Sequence, residues 1–138
     1  MSSILPLGRR FNLATSATTA GVRVNLRNAS GVLFVLIGAT SGNATISEAN
    51  AASGGTSQSL AAITEYYTQA SGVWTRTTQA AAATFTATTG GLAAAWVPQG
   101  ALSDGFSWLS ASHSSGSFVY IIGDLDVARK VANLASVL

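Results

Sequence analysis

The stretch GVRVNLRN, residues 21–28, followed by VLFVLI, residues 32–37, decides the fold class of this 138-residue chain. In the first segment Val22, Val24 and Leu26 alternate with polar residues, which is the period of two of a half-buried strand. The second segment is a continuous apolar run between glycines, and its length and β-branched content predict a strand covered on both faces. Another subunit could cover one of these faces.

Further short strands, separated by turn signals, are predicted along the rest of the chain. They cover residues 44–48, 62–69, 73–78, 83–88, 92–97, 105–113 and 117–122. Ser71-Gly72 has the chemistry of a two-residue hairpin turn, and Pro98 ends a strand. About eight or nine short antiparallel strands at this spacing predict an all-β, single-domain β-sandwich or barrel.

The two ends of the chain lack this pattern. Residues 1–20 have no clear periodicity and predict an extended N-terminal arm, which leaves residues 21–138 as the β-sandwich domain with a docking tail. The tail, DLDVARKVANLASVL at 124–138, has a spacing of apolar residues that is only partly helical, and we expect a strand as far as Val127. Arms of this kind are ordered when a partner holds them.

The composition predicts a subunit of an assembly. Charged residues make up 9% of the chain, against about 25% in an average soluble domain, while 48% of the residues are apolar. A monomer with so few charges lacks the usual defence against association. The chain has no cysteine, which excludes disulfides and thiolate metal sites.

Nucleic acid and membranes are not expected as partners. The seven basic residues are scattered and their largest cluster is a pair, whereas nucleic-acid binders present a dense basic face. The sequence contains no run of about 18 consecutive apolar residues, so it predicts no membrane span. The N-terminal sequence MSSILPLGRRF lacks the apolar core of a signal peptide, so we expect synthesis in the cytoplasm.

The sequence contains little that suggests catalysis. His113 is the single histidine, and a Ser–His–Asp site is formally possible. It adjoins a Ser-Gly turn without a surrounding motif, which favours a solvated turn histidine. A histidine-based metal site needs several His or Cys ligands. We therefore expect no enzyme, no cofactor and no metal.

The carboxylates leave two interpretations open. Asp124 and Asp126 lie on the same side of a strand, and paired carboxylates can serve glycoside hydrolysis or bind Ca²⁺. The alternative is that they cap the strand end or pair with Arg129 or Lys130. Glu48 and Glu65 have no partner in the sequence.

The aromatic residues of the strands also allow two interpretations. They could line a sugar-binding face, although aromatics on alternating strands more often pack in the core or across strands. Trp74 beside Arg76 on a hairpin is predicted to be exposed. The set is Tyr66, Tyr67, Trp74, Trp96, Phe106, Trp108, Phe118 and Tyr120.

The final third of the chain carries a recognisable order of short motifs. It contains Asp104-Gly105-Phe106, the strand from Phe118 to Ile122, then GDLDVAR at 123–129 and ANL at 132–134. This order resembles the ending of small structural proteins of actinobacterial tailed phages. The hairpin with Tyr66-Tyr67 and Trp74-Thr75 is similar to the central hairpin of that family, so that the resemblance covers about residues 20–135.

The resemblance implies a virion component. We favour a capsid decoration (cement) protein, made in the host cytoplasm, that binds the major capsid protein on the outer surface of the head as a homotrimer. A tail-tube or tail-tip subunit and a carbohydrate-binding host-attachment module are the alternatives. The expected capsid or subunit contacts are Arg9, Arg10 and Phe11 in the arm, and Val127, Arg129 and Leu134 in the tail.

Overall fold

The computed structural model describes residues 11–17 and 22–125. In these ranges the chain forms β-strands, one 3-10 turn and no α-helix, which confirms the predicted all-β class. The elements are β1 (Phe11–Ala17), β2 (Val24–Asn25), β3 (Ala29–Ile37), β4 (Gly42–Ala49), β5 (Ser57–Ser59), β6 (Ile63–Ala70), β7 (Val73–Ala82), β8 (Thr84–Ala87), β9 (Leu92–Pro98), the 3-10 turn (Gln99–Ala101), β10 (Trp108–Ser112) and β11 (Ser117–Leu125).

The strands form two antiparallel sheets that pack as a sandwich, as predicted. The six-stranded sheet has the order β1-β11-β3-β9-β6-β7. The second sheet has the order β2-β10-β4-β5, and β8 pairs with the first half of β4. Nine of these strands correspond to predicted ones, and β1 and β5 are the two that were not predicted.

The core lies between the sheets and is centred on β3 and β11. Phe34 and Tyr120 meet edge to face with their ring centroids 4.9 Å apart, and Phe118 packs beside both rings. The Tyr120 hydroxyl donates to the carbonyl of Ala111 and accepts from its N–H, each at 3.2 Å. Because Ala111 belongs to β10, these two bonds tie the six-stranded sheet to the second sheet.

The prediction that β3 is covered on both faces is correct for one face. Val32, Phe34 and Leu36 are fully buried against the second sheet. Leu33 and Val35 point the other way and are half-buried, because the described part of the chain places no second layer over that side.

The hairpin from β6 to β7 turns where the sequence predicts. Ser71 has φ 50° and Gly72 has φ 79°, and two successive positive φ angles match the twist of a two-residue hairpin.

The predicted arm over residues 1–20 needs a correction at Phe11–Ala17. These residues form β1, which pairs with β11 from Phe11 opposite Gly123 to Ala17 opposite Ser117. Ala14 and Ser16 are buried on the inner side of the sheet. An edge strand takes its conformation from the hydrogen bonds of its neighbour, so that clear hydrophobic periodicity is not required. The rest of the arm, and the tail from residue 126, lie outside the described residues.

Candidate functional site: the outer face of the six-stranded sheet

The six-stranded sheet has an outer face, turned away from the second sheet, and this face is apolar. Since side chains alternate along each strand, the pairing register places Leu13, Ile121, Leu33 and Trp96 side by side across four strands. We call the apolar outward side chains of β1, β11 and β3 the aliphatic half of the face. They are Leu13, Leu33, Val35, Ile37, Val119 and Ile121.

The aliphatic half presents hydrophobic surface to solvent. Leu13 is 47% exposed and Ile37 is 44% exposed, while Leu33, Val35 and their neighbours are half-buried. Within the described part of these three strands, no outward position carries a charged side chain. Isolated exposed apolar residues are ordinary, but a contiguous patch of them marks an interaction site.

The second sheet has an outer face of the opposite character. Cross-strand partners there are Ser110 with Ser47, and Ser112 with Thr45. Next to them, Thr86 donates a hydrogen bond to the Asn43 side chain. This hydroxyl-rich surface is what a solvated sheet face presents, so the two outer faces of one sandwich differ in chemistry.

Aromatic side chains continue the outer face over β9, β6 and β7, and we call this region the aromatic half. Trp96 is 44% exposed and Trp74 is 50% exposed, with Tyr67 slightly less so. The prediction that Trp74 is exposed is confirmed, whereas the expectation of a core position is wrong for Trp96 and Tyr67. Tyr66, Phe118 and Tyr120 do lie in the core.

The indole of Trp96 is held against two glycines on neighbouring strands. A Cβ at Gly31 on β3 would lie 2.5 Å from Trp96 Cζ2, and one at Gly123 on β11 would lie 3.4 Å from its Cη2. The indole therefore extends across the sheet over the backbone of β3 and β11. At position 31 only glycine leaves room for the ring, because any side chain would collide with it. This contact limits the orientations that the indole can adopt.

A cleft of about 260 Å³ opens within the aromatic half of the face. We call it the aromatic cleft, and it is lined by Ala62, Thr64, Glu65, Tyr67, Trp96 and Pro98. The Tyr67 hydroxyl donates to Glu65 Oε1 at 3.3 Å. Arg76 Nε donates to Glu65 Oε2 at 2.9 Å. Two aromatic walls, a carboxylate and a hydroxyl therefore surround one concave space.

Arg76 balances the charge of the cleft. Its guanidinium makes an exposed ion pair with Glu65 through Nη2 as well as Nε. The hydrogen bond that Arg76 donates to Glu65, together with the carboxylate charge, raises the pKa of Arg76 above its ordinary value. The opposite formal charges of Arg76 and Glu65 therefore offset each other on this side of the sheet.

In the described part of the chain, β7 is the last strand of the same sheet and no strand pairs with its outer edge. It pairs with β6 on one side through residues 73–78 and Ala82, and none of its ten residues is buried. Val73 and Trp74 at its start are among the most exposed large apolar residues of the described chain. An uncovered edge with few charges is a template for pairing with another strand.

Of the six predicted contact residues, only Phe11 lies within the described residues. Phe11 begins β1, opposite Gly123 at one end of the sheet. The other five predicted contacts lie outside the described residues: Arg9, Arg10, Val127, Arg129 and Leu134. The backbone of Asp124 belongs to β11, and Asp126 is likewise outside the described part.

His113 is buried, and its prediction as a solvated histidine is wrong. Its Nδ1 accepts a hydrogen bond from the Ser115 N–H at 3.1 Å, and its Nε2 lies 3.3 Å from where a Cβ of Gly42 would stand. Because Gly42 has no side chain, the imidazole ring of His113 can fill the adjacent space. The described residues contain no group of three or more His, Cys, Asp or Glu side chains placed to hold a metal.

Glu48 has partners that its sequence neighbourhood did not indicate. It is 1% exposed and accepts from the Ser103 N–H at 2.8 Å, the Ser103 hydroxyl at 2.6 Å and Gln58 Nε2 at 2.6 Å. Burial is the largest effect and by itself raises the pKa. The bonds from Ser103 and Gln58 outweigh it, and the pKa of Glu48 is lowered. This carboxylate fastens β4 to β5 and to the loop before β10.

Comparison of the chain with protein-family models, curated proteins and solved structures gave no match. The described part of the chain has no helical segment with the length and hydropathy that a membrane crossing requires.

Proposed function

We propose that this protein is a non-enzymatic structural subunit of a virion, a decoration protein that binds the outer surface of a tailed-phage head. The aliphatic half of the outer face is the observation that carries the proposal. It is a contiguous, uncharged hydrophobic surface on one side of a sandwich whose other side carries mainly polar side chains. Docking on the major capsid protein would remove this surface from water.

The energetics suit a protein present in many copies. Burying the remaining surface of a half-exposed Leu or Ile contributes on the order of 1 kcal/mol. The described aliphatic half supplies four Leu or Ile side chains and two Val side chains that are exposed or half-buried, which is enough for binding without any charged contact. A capsid lattice also presents many equivalent sites, so that modest contacts add to stable decoration when subunits are linked.

Self-association through the edge of β7 would also suit a capsid decoration protein. No strand in the described part of the chain pairs with the outer edge of β7, where a second copy of the chain could add one, and strand addition of this kind is a common docking mode. We propose a homotrimer in which the β7 edge contributes the subunit contact. The motif order in residues 104–134 supports a phage structural protein, on the resemblance described above.

The test is to mix the purified protein with capsids that lack decoration and to sediment the particles. We expect stoichiometric binding, which the double change Leu13→Glu and Ile37→Glu abolishes because it places two acids on the aliphatic half. Both residues are nearly half exposed, so the fold should tolerate the two changes. The double change Thr86→Glu and Ser112→Glu is the matched control, since it places two acids at exposed positions on the outer face of the second sheet.

Two results would contradict the proposal. The first is the absence of saturable binding to the capsids. The second is ring-shaped particles formed by the purified protein alone, which would favour a tail-tube subunit.

A further inference from the structure

We propose that the aromatic cleft is a carbohydrate-binding site that accepts one neutral sugar ring. The cleft lies in the aromatic half of the outer face, and its volume of about 260 Å³ is just below the range of roughly 300–1,000 Å³ typical of drug-sized ligands. A single pyranose ring is a ligand of that size. This inference does not rest on capsid docking, which uses the aliphatic half.

The walls of the cleft match the apolar side of a sugar. Trp96 and Tyr67 line it with aromatic rings that remain partly open to solvent. A pyranose presents a patch of C–H bonds on one face, and such a patch packs against the electron-rich face of an aromatic ring. Since these two side chains come from adjacent strands β9 and β6, the sheet itself fixes their spacing.

The polar groups of the cleft match the hydroxyl edge of a sugar. Glu65 uses one acceptor site of Oε1 for the Tyr67 hydroxyl and binds Arg76 through Oε2. A carboxylate has about four lone-pair sites, so that Oε1 retains acceptor capacity. Thr64 adds a hydroxyl to the lining. A sugar hydroxyl can both donate to Glu65 and accept from Thr64.

Charge selects a neutral ligand. Glu65 lines the cleft, and Arg76 beside it compensates its charge. Neither a phosphate nor an ammonium group would gain from such a balanced pair. A sugar hydroxyl gains from either partner, because hydrogen bonds to charged groups are stronger than neutral ones.

The site is built before a ligand arrives. The contact of Trp96 with Gly31 and Gly123 holds the indole over β3 and β11, and the bond from Tyr67 to Glu65 holds the opposite wall. Groups that are already ordered lose little conformational entropy on binding. This order compensates for the small number of contacts that one sugar ring can make.

The experiment is an NMR titration of the full chain with the methyl glycosides of glucose, galactose, mannose and N-acetylglucosamine. We expect at least one of them to shift the Trp96 indole N–H signal saturably, with a Kd in the millimolar range for so small a ligand. The Trp74 and Trp108 signals should stay in place. Trp108 lies on the other sheet, and Trp74 is exposed on the same sheet but does not line the cleft.

Two variants test whether the sugar binds in the cleft or nonspecifically elsewhere. Saturation-transfer NMR on the sugar measures the binding. Trp96→Ala should weaken binding by about tenfold or more, while the matched control Trp74→Ala should change the Kd less than about twofold. Glu65→Gln keeps the volume of the cleft and should weaken binding about fivefold, which tests the site even if Trp96→Ala disturbs the fold.

The proposal is overturned if none of the four glycosides shifts the Trp96 signal at concentrations well above the millimolar range. It is also overturned if the two tryptophan variants lose binding equally. Concentration-dependent shifts of the Trp96 signal without sugar would identify a second copy of the chain as the occupant. Each of these results leaves the capsid-binding test of the aliphatic half unaffected.

Discussion

At position 48 a carboxylate is 1% exposed and its pKa is nevertheless lowered. The cause is the set of three hydrogen bonds from Ser103 and Gln58, which stabilise the charged form more than burial destabilises it. Glu48 had no partner in the sequence because Ser103 is 55 residues away. A buried acid of this kind usually serves the structure, and here it holds a loop against the end of the second sheet.

Glu48→Gln should destabilise the protein by about 1–3 kcal/mol at neutral pH, because the amide places a donor where three donors already point. The pH dependence follows from the lowered pKa. The contribution of the carboxylate to stability is present above its ordinary pKa of 4.5 and is lost as the pH falls through the lower folded-state value. Urea unfolding between about pH 7 and about pH 3 measures both effects.

The matched control is Glu65→Gln, at an exposed carboxylate paired with Arg76. Exposed ion pairs contribute little to stability, so this variant should unfold at nearly the same urea concentration as the wild type. If the two variants lost the same stability, or if Glu48→Gln kept the acid sensitivity of the wild type, the structural role of Glu48 would be refuted.

The alternation of apolar and polar residues was sufficient to predict the strands that pack one face against the core. The turn at Ser71-Gly72 and the end of β9 at Pro98 were also predictable, because each depends on the backbone preference of one or two residues. β1 and β5 were missed, since both lie at sheet edges and are defined mainly by pairing with a neighbour. Edge strands need little hydrophobic periodicity of their own.

The exposed aromatics show why the candidate site was harder to predict than the strands. Trp96 stands in the apolar run LAAAWV, and its direction depends on Ala93 and Ala95 pointing inward. That β9 lies between β3 and β6, and so brings Trp96 beside Tyr67, is a property of the strand order. Local sequence patterns identify the residues of the cleft, but they do not predict the long-range strand pairing that brings these residues together.

The β7 edge gives a prediction about self-association. Thr75→Lys adds a charge to an exposed position of this strand, and lysine on an edge disfavours the addition of another strand. We expect sedimentation velocity to find the wild type as an oligomer and Thr75→Lys as a monomer of similar stability. Ser53→Lys, in an exposed loop, is the control and should remain oligomeric.

A wild type that sediments as a monomer at every concentration would contradict the proposed subunit contact. An unchanged oligomer of Thr75→Lys would place that contact elsewhere than on β7.

For the whole molecule, the difference between the two outer faces is the central feature. Two sheets of one sandwich share a core, yet one outer face carries mainly Ser, Thr and Asn, with the half-buried Trp108 at one end, while the other carries Leu, Ile, Val and several aromatic rings. A low content of charged residues does not by itself require a partner. The concentration of apolar surface on a single face is the feature that points to a covering layer, since a monomer gains nothing from that distribution.

Hydroxyl-radical footprinting of the free and the capsid-bound protein tests this claim most directly. The account predicts that Leu13, Leu33 and Ile37 lose most of their labelling on the capsid, while Trp108 on the second sheet is labelled as before. Equal labelling of the aliphatic half in the free and the bound protein would contradict the account, because the apolar face would then be open to water in the assembly.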